Sequence, residues 1–154
     1  MKLFHGGNIT TINDEGRFRG AFASPEESHA GGQGDYLHTI EVDDSNILTN
    51  FELNYSIEHE ETFAAFSAVC EEMGIDPESD IVWEAVIEDK NVYEMDEDEV
   101  LTAFVQIEVS EASFDGQMMR GQVAKRLGYQ AVEMSDEYGT SYLIVHGEFE
   151  RVVA

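Results

Sequence analysis

His5 closes a short apolar run, Leu3-Phe4, and is followed at once by Gly6 and Gly7. A glycine after a strand lets a planar amide approach the main chain and hydrogen-bond to its N–H and C=O, and an imidazole beside it can hold a ribose hydroxyl. Phe22 heads the run Phe22-Ala23-Ser24; an aromatic there, or Tyr138 further along, could stack on a flat heteroaromatic ring. Asp136 and Glu137 sit between two apolar runs, in a segment that reads as a tight turn. A carboxylate presented in this way can bind a ribose hydroxyl and stabilise the positive charge that grows as a glycosidic bond loosens. His38, on the partly alternating segment Tyr36 to Val42, completes the set. Each residue also has a structural reading, since a histidine at a strand end or an acidic pair in a hairpin turn more often shapes a fold than a reaction.

Other chemistries fail on spacing. His59-Glu60-Glu61-Thr62-Phe63 begins like a zinc-protease helix but places Phe63 where the second histidine is needed, so no metal is expected. The run Asp96 to Glu99 lacks the glycine of a calcium loop and reads as a solvated face. Gly31-Gly32-Gln33-Gly34 lacks the third glycine of a dinucleotide fingerprint, and no P-loop or Gly-x-Ser-x-Gly elbow occurs. Cys70 falls on the apolar stripe of a helix, where a free cysteine is packing rather than nucleophile.

The elements that must position the candidate residues follow from periodicity. Lys2 to His5, Phe18 to Ala23 and Tyr36 to Val42 read as strands, and Pro25 opens a short helix after the cap-like Ser24. Residues 59 to 104 read as acidic helices: Thr62 to Met73, with Phe63, Phe66, Val69 and Met73 on one face and Gly74 as stop, then a helix opened by Pro77 carrying Ile81, Val82, Trp83 and Val86. A third helix spans 112–127 with Phe114, Met118, Val123 and Leu127 at helical spacings, Lys125 and Arg126 in its last turn and Gly128 beyond. Gln130 to Met134 and Thr140 to His146 form a hairpin around Asp136, and Phe149 to Val153 adds an edge strand. Strands at both ends with helices between them predict an α+β fold whose termini share a sheet.

The chain of 154 residues is expected to form one domain over residues 1–154, with 42% hydrophobic residues and no apolar run of membrane-spanning length. Its start lacks the apolar core of a secretory signal, and its one cysteine agrees with a reducing cytoplasm. The outlying quantity is charge: 33 Asp and Glu against 8 Lys and Arg give −25. Such a chain repels nucleic-acid phosphates. Residues 52 to 111 hold 19 acidic side chains and a single base, Lys90. That region reads as a solvated surface or, more sharply, as one that imitates DNA toward a basic partner.

The order Phe4-His5-Gly6, Gly20-Ala21-Phe22-Ala23-Ser24, Leu37-His38, Leu127-Gly128-Tyr129 and Val132 through Thr140 resembles the ADP-ribosyltransferase family of phage anti-CRISPR proteins that act on type I-F surveillance complexes. The most specific part is Val132-Glu133-Met134-Ser135-Asp136-Glu137-Tyr138-Gly139-Thr140. The resemblance implies an ADP-ribosyltransferase-like fold, with two small sheets forming an NAD cleft and helices inserted between them. It implies Asp136 as catalytic acid with Glu137 contributing. His5, Gly6, Phe22, Ser24, His38 and Tyr138 would bind NAD, which is consumed as co-substrate, and Arg17 or Arg19 would meet its diphosphate. The implied acceptor is a protein subunit of the surveillance complex, the one that reads the PAM, modified in the bacterial cytoplasm so that DNA no longer docks. Two rivals remain: a non-catalytic acidic DNA mimic acting through residues 52 to 111, and an NAD glycohydrolase or toxin in which water is the acceptor.

Overall fold

The computed structural model describes residues 1–7, 12, 14–27, 36–136 and 139–152, Asp136 and Arg151 by main chain alone. Strand β1 (Lys2–Gly6) pairs antiparallel with β3 (Leu37–Glu41), which pairs antiparallel with β7 (Glu150–Arg151). The two ends of the chain thus share a sheet through β3, as the strand pattern predicted. A second sheet has the order β2 (Ala21–Ala23), β6 (Gly139–Ile144), β5 (Ala131–Asp136), β4 (Ile47–Leu48). Its β4–β5 pairing is parallel and its other pairings are antiparallel.

Between β4 and β5 the chain inserts a π-helical turn, Glu52–Ser56, and then α1 (His59–Met73), α2 (Asp80–Val86), α3 (Glu97–Phe104) and α4 (Val109–Arg126). Their ends follow local chemistry. Gly74 caps α1 in the left-handed region at φ 68°, where a Cβ would be penalised. The Ser79 hydroxyl accepts from Val82 N–H at the start of α2, so Pro77 belongs to the preceding turn rather than opening the helix as expected. The Asp96 carboxylate accepts from Glu99 N–H, which makes the acidic run Asp96 to Glu99 the first turn of α3.

The layers are helices, the four-stranded sheet and then the three-stranded sheet. Phe66, Val69, Val86, Phe104, Met119, Val123, Val132 and Leu143 fill the helix side. Leu3, Ala21, Ala23, Ile40, Ala131, Tyr142, Ile144 and Phe149 fill the space between the sheets. Helix α4 lies close against β6 because Gly121 has no Cβ: one placed there would come within 2.6 Å of Leu143 Cδ2 and 3.1 Å of Val145 Cγ1. The strand expected over Phe18 to Ala23 contracts to its last three residues. Arg19 takes a left-handed φ of 52°, and Gly20 passes so near the Ile144 carbonyl that a Cβ would stand 2.5 Å from its oxygen. Phe114 also departs from the expected stripe: it is 37% exposed, and its ring meets Phe18 edge-on instead of joining the core. None of the helices among the described residues is long and apolar enough to cross a membrane.

Candidate functional site

Among the described residues the two sheets meet at one bridge. Phe4 N–H donates to Ser24 O at 2.8 Å and Ser24 N–H to Phe4 O at 2.9 Å, joining β1 to the end of β2. In an antiparallel ladder the main-chain groups of successive residues face opposite edges. Gly7 N–H donates to Tyr36 O on the β3 side, so Phe4 and Gly6 face the other way. Past Ser24, Gly6 therefore presents its N–H and C=O toward Phe22 at the seam between the sheets.

His5 closes that seam. Its Nδ1 is 2.7 Å from Phe22 O, and because a carbonyl only accepts, Nδ1 carries the proton. Burial depresses the imidazole pKa most, the bond to Phe22 O opposes that, and nearby His38 lowers it further. The ring is thus neutral at pH 7, with Nε2 an acceptor; that atom is buried and has no partner among the described residues. Gly7, at φ 150°, leaves room for it, since a Cβ there would lie 3.0 Å from Nε2. The imidazole stacks on Phe149 with centroids 5.1 Å apart.

His38 stands directly opposite His5 in the β1–β3 register, with the rings 6.4 Å apart. It is 1% exposed and donates from Nε2 to Gly7 O at 2.8 Å, which fixes the glycine turn and leaves Nδ1 buried with no hydrogen-bond partner among the described residues. The Ser24 hydroxyl accepts from Glu26 N–H at 3.1 Å, and the short helix expected after Pro25 runs into residues 28–35, which lie outside the described residues. Phe22 packs edge-to-face on Phe18 at 4.9 Å, on the helix side of its sheet.

Five of the sequence candidates, His5, Gly6, Phe22, Ser24 and His38, thus gather at one seam. Asp136 ends β5, paired with Gly139 of β6. Because β2 and β5 flank β6 from opposite sides, the Asp136 strand and the Phe22 strand belong to one sheet. Glu137 and Tyr138 lie outside the described residues. Arg17 is bound to Asp115 at 2.8 Å and to Glu111 at 3.2 Å, and Arg19 faces Glu72 at 3.8 Å, so both are turned toward helix carboxylates. Cys70 is buried and its thiol is pushed up to about 12, first by burial and then by Asp76 and Glu71, as befits a packing residue. No cluster of potential metal ligands exists among the described residues.

Sequence reasoning missed Phe149, which supports the His5 ring, and Arg120, which is 1% exposed on α4. Arg120 donates from Nε to Glu133 O at 3.0 Å, from Nη1 to Val86 O at 2.8 Å and Ile87 O at 3.0 Å, and from Nη2 to Asn50 Oδ1 at 3.0 Å. Burial pulls its pKa down, while the Asp89 and Glu133 carboxylates pull it up. Next to it, a groove of about 620 Å³ runs to the end of β5 at Ser135, lined among others by Asp89, Tyr93, Phe114 and Gln117.

The profile of the family described as Anti-CRISPR Type I-F ADP-ribosyltransferase AcrIF11 matches residues 1–152. A solved structure, "Crystal structure of an anti-CRISPR protein", is 31% identical, with a TM-score of 0.74 over 99% of this chain and 95% of that one. No curated protein sequence matches. The two-sheet α+β architecture agrees with the ADP-ribosyltransferase-like fold expected from the motifs.

Proposed function

The chain belongs to the anti-CRISPR type I-F ADP-ribosyltransferase family, and from that premise we propose that it transfers ADP-ribose from NAD to a protein subunit of a type I-F CRISPR surveillance complex, preventing PAM recognition and DNA docking in the bacterial cytoplasm. One observation carries the assignment of the site. At the seam between the sheets, the main-chain N–H and C=O of Gly6 face toward Phe22, whose carbonyl is engaged by the His5 ring.

A carboxamide is the natural partner of such main-chain groups, because it offers one donor and one acceptor to a main chain that offers one of each. Gly6 would bind the nicotinamide amide in this way, and the Phe22 ring, packed on Phe18 at the helix side of its sheet, would contribute to the NAD site from that face. The neutral His5 keeps an acceptor lone pair on buried Nε2, suited to a ribose hydroxyl donor. His38 fixes Gly7 and so the direction in which the Gly6 amide points. Asp136, at the end of β5, would bind the ribose and stabilise the cationic character that develops as nicotinamide departs. Glu137 and Tyr138, next in sequence, are proposed to assist. The acceptor side chain then takes the ADP-ribose.

The test is nicotinamide release from NAD by the purified protein, with and without a type I-F surveillance complex. Release that requires the complex, and that Asp136→Ala abolishes, supports the transferase. Equal release without the complex would instead indicate a glycohydrolase, and none in either case would remove the NAD reading.

A further inference from the structure

Strand β5 carries Asp136, yet its neighbour β4 pairs only with Ala131 and Val132. Beyond Val132 that edge of β5 has no strand beside it among the described residues, although β6 holds the opposite edge as far as Asp136. The outward-facing groups on the bare edge are those of Glu133 and Ser135, and side chains take them. Arg120 Nε donates to Glu133 O at 3.0 Å, and Ser135 N–H donates to Asp89 Oδ2 at 2.9 Å. Together they stand in for the missing strand.

Both side chains are themselves held. Arg120 is anchored by the Val86 and Ile87 carbonyls at the end of α2 and by Asn50 Oδ1. Asn50 in turn donates its N–H to Glu133 Oε1 at 3.1 Å, so the strand residue is gripped by its main chain and its side chain. Asp89 sits in the left-handed region at φ 57°, a conformation that a non-glycine residue adopts at a cost and that surrounding contacts must maintain.

We propose that Arg120 and Asp89 are positioning residues which hold the end of β5, and with it Asp136, in register for ADP-ribosyl transfer. This rests on the reading of Asp136 as the catalytic acid. Neither residue touches the reacting atoms in this account. Their effect passes through the strand, and a displacement of about 1 Å at a catalytic group can cost on the order of a hundredfold in rate.

The test compares Asp89→Gly with Asp89→Asn. Both replacements tolerate positive φ, but only asparagine keeps an oxygen that can accept from Ser135 N–H. Modification of the surveillance complex would be followed as kcat and KM, with KM for the complex measured separately because Asp89 also lines the groove beside Ser135. Asp89→Asn should stay within about twofold of the native protein, whereas Asp89→Gly should lose about tenfold to a hundredfold in kcat with KM for NAD little changed. Amide exchange at Ser135 should be at least about tenfold faster in Asp89→Gly at an unchanged melting temperature.

Native kcat in Asp89→Gly, or an Asp89→Asn variant as impaired as Asp89→Gly, would overturn the proposal. Asp136→Ala in the same assay separates the two levels. Full activity in that variant defeats the assignment of the acid itself, while loss of activity there beside native behaviour in Asp89→Gly defeats only the clamp. Should the native protein modify nothing, Ser135 exchange decides: unaltered exchange in Asp89→Gly overturns the clamp, and faster exchange upholds it as the restraint on this strand.

Discussion

Replacing Arg120 by methionine removes a fully buried cation while keeping most of its aliphatic length. It strands the main-chain oxygens of Val86 and Glu133, which Arg120 now serves, while Ile87 O and Asn50 Oδ1 lose one of two donors and keep Asn54 Nδ2 at 2.9 and 3.2 Å. A buried polar group left without its partner costs about 1–3 kcal/mol. The middle of that range applied to the two stranded carbonyls gives about 4 kcal/mol, and breaking a buried charged network typically costs about 3–5 kcal/mol. Relief of the guanidinium's own desolvation offsets part of this, which places the expectation near the lower figure. Against a typical domain stability of about 5–15 kcal/mol, such a loss is large but survivable. With about 2–4 °C of melting temperature per kcal/mol for a chain of this size, Arg120→Met should melt about 6–12 °C below the native protein. Urea unfolding followed by circular dichroism should give the matching shift in midpoint. A loss below about 1 kcal/mol would refute the reasoning, because it would mean that these carbonyls do not depend on Arg120 for satisfaction.

Two further perturbations test the packing and the state of His5. Gly121→Ala improves helix propensity by about 1 kcal/mol, yet its Cβ would meet Leu143 Cδ2 at 2.6 Å; a net destabilisation of about 1–3 kcal/mol is expected in thermal melts, and a stabilised variant would contradict the close α4–β6 contact. The folded-state pKa of His5 lies below its ordinary 6.5, so the unfolded chain binds its proton first. The stability tied to this residue is therefore complete above about pH 6.5 and declines as pH falls from there through the lowered folded value. Unfolding free energies from pH 8 to pH 5 should show this decline in the native protein and a shallower one in His5→Gln; identical slopes would count against a neutral buried imidazole.

The frame was legible where local chemistry and long-range structure agree. The short apolar run at Lys2 to His5 and the partial alternation over Tyr36 to Val42 gave β1 and β3, and Gly74, like Gly128, marked a helix end correctly. The His5-Gly6 and Phe22-Ser24 segments could be recognised as partners because each carries a compact motif, and the Phe4–Ser24 bridge brings them together. Other features left no local trace. Strand β4 is two residues long, too short for a period to show. Phe149 reaches His5 from the far end of the chain, a contact that only the shared sheet creates. Arg120 reads in sequence as a polar helix position, since arginine is almost never buried without partners, and its partners are main-chain carbonyls that carry no sequence signature. The exposed Phe114 fits the helical spacing of a core residue, but its ring serves Phe18 and the Arg17 guanidinium instead.

The most direct test of the central claim is intact-mass spectrometry of a purified type I-F surveillance complex incubated with this protein and NAD, with Asp136→Ala as the control. The account predicts the mass of one ADP-ribose added to a single subunit, absent with the variant and accompanied by loss of DNA binding. An unmodified complex that nevertheless fails to bind DNA, with NAD intact, would contradict the transferase and favour an acidic decoy acting through residues 52 to 111.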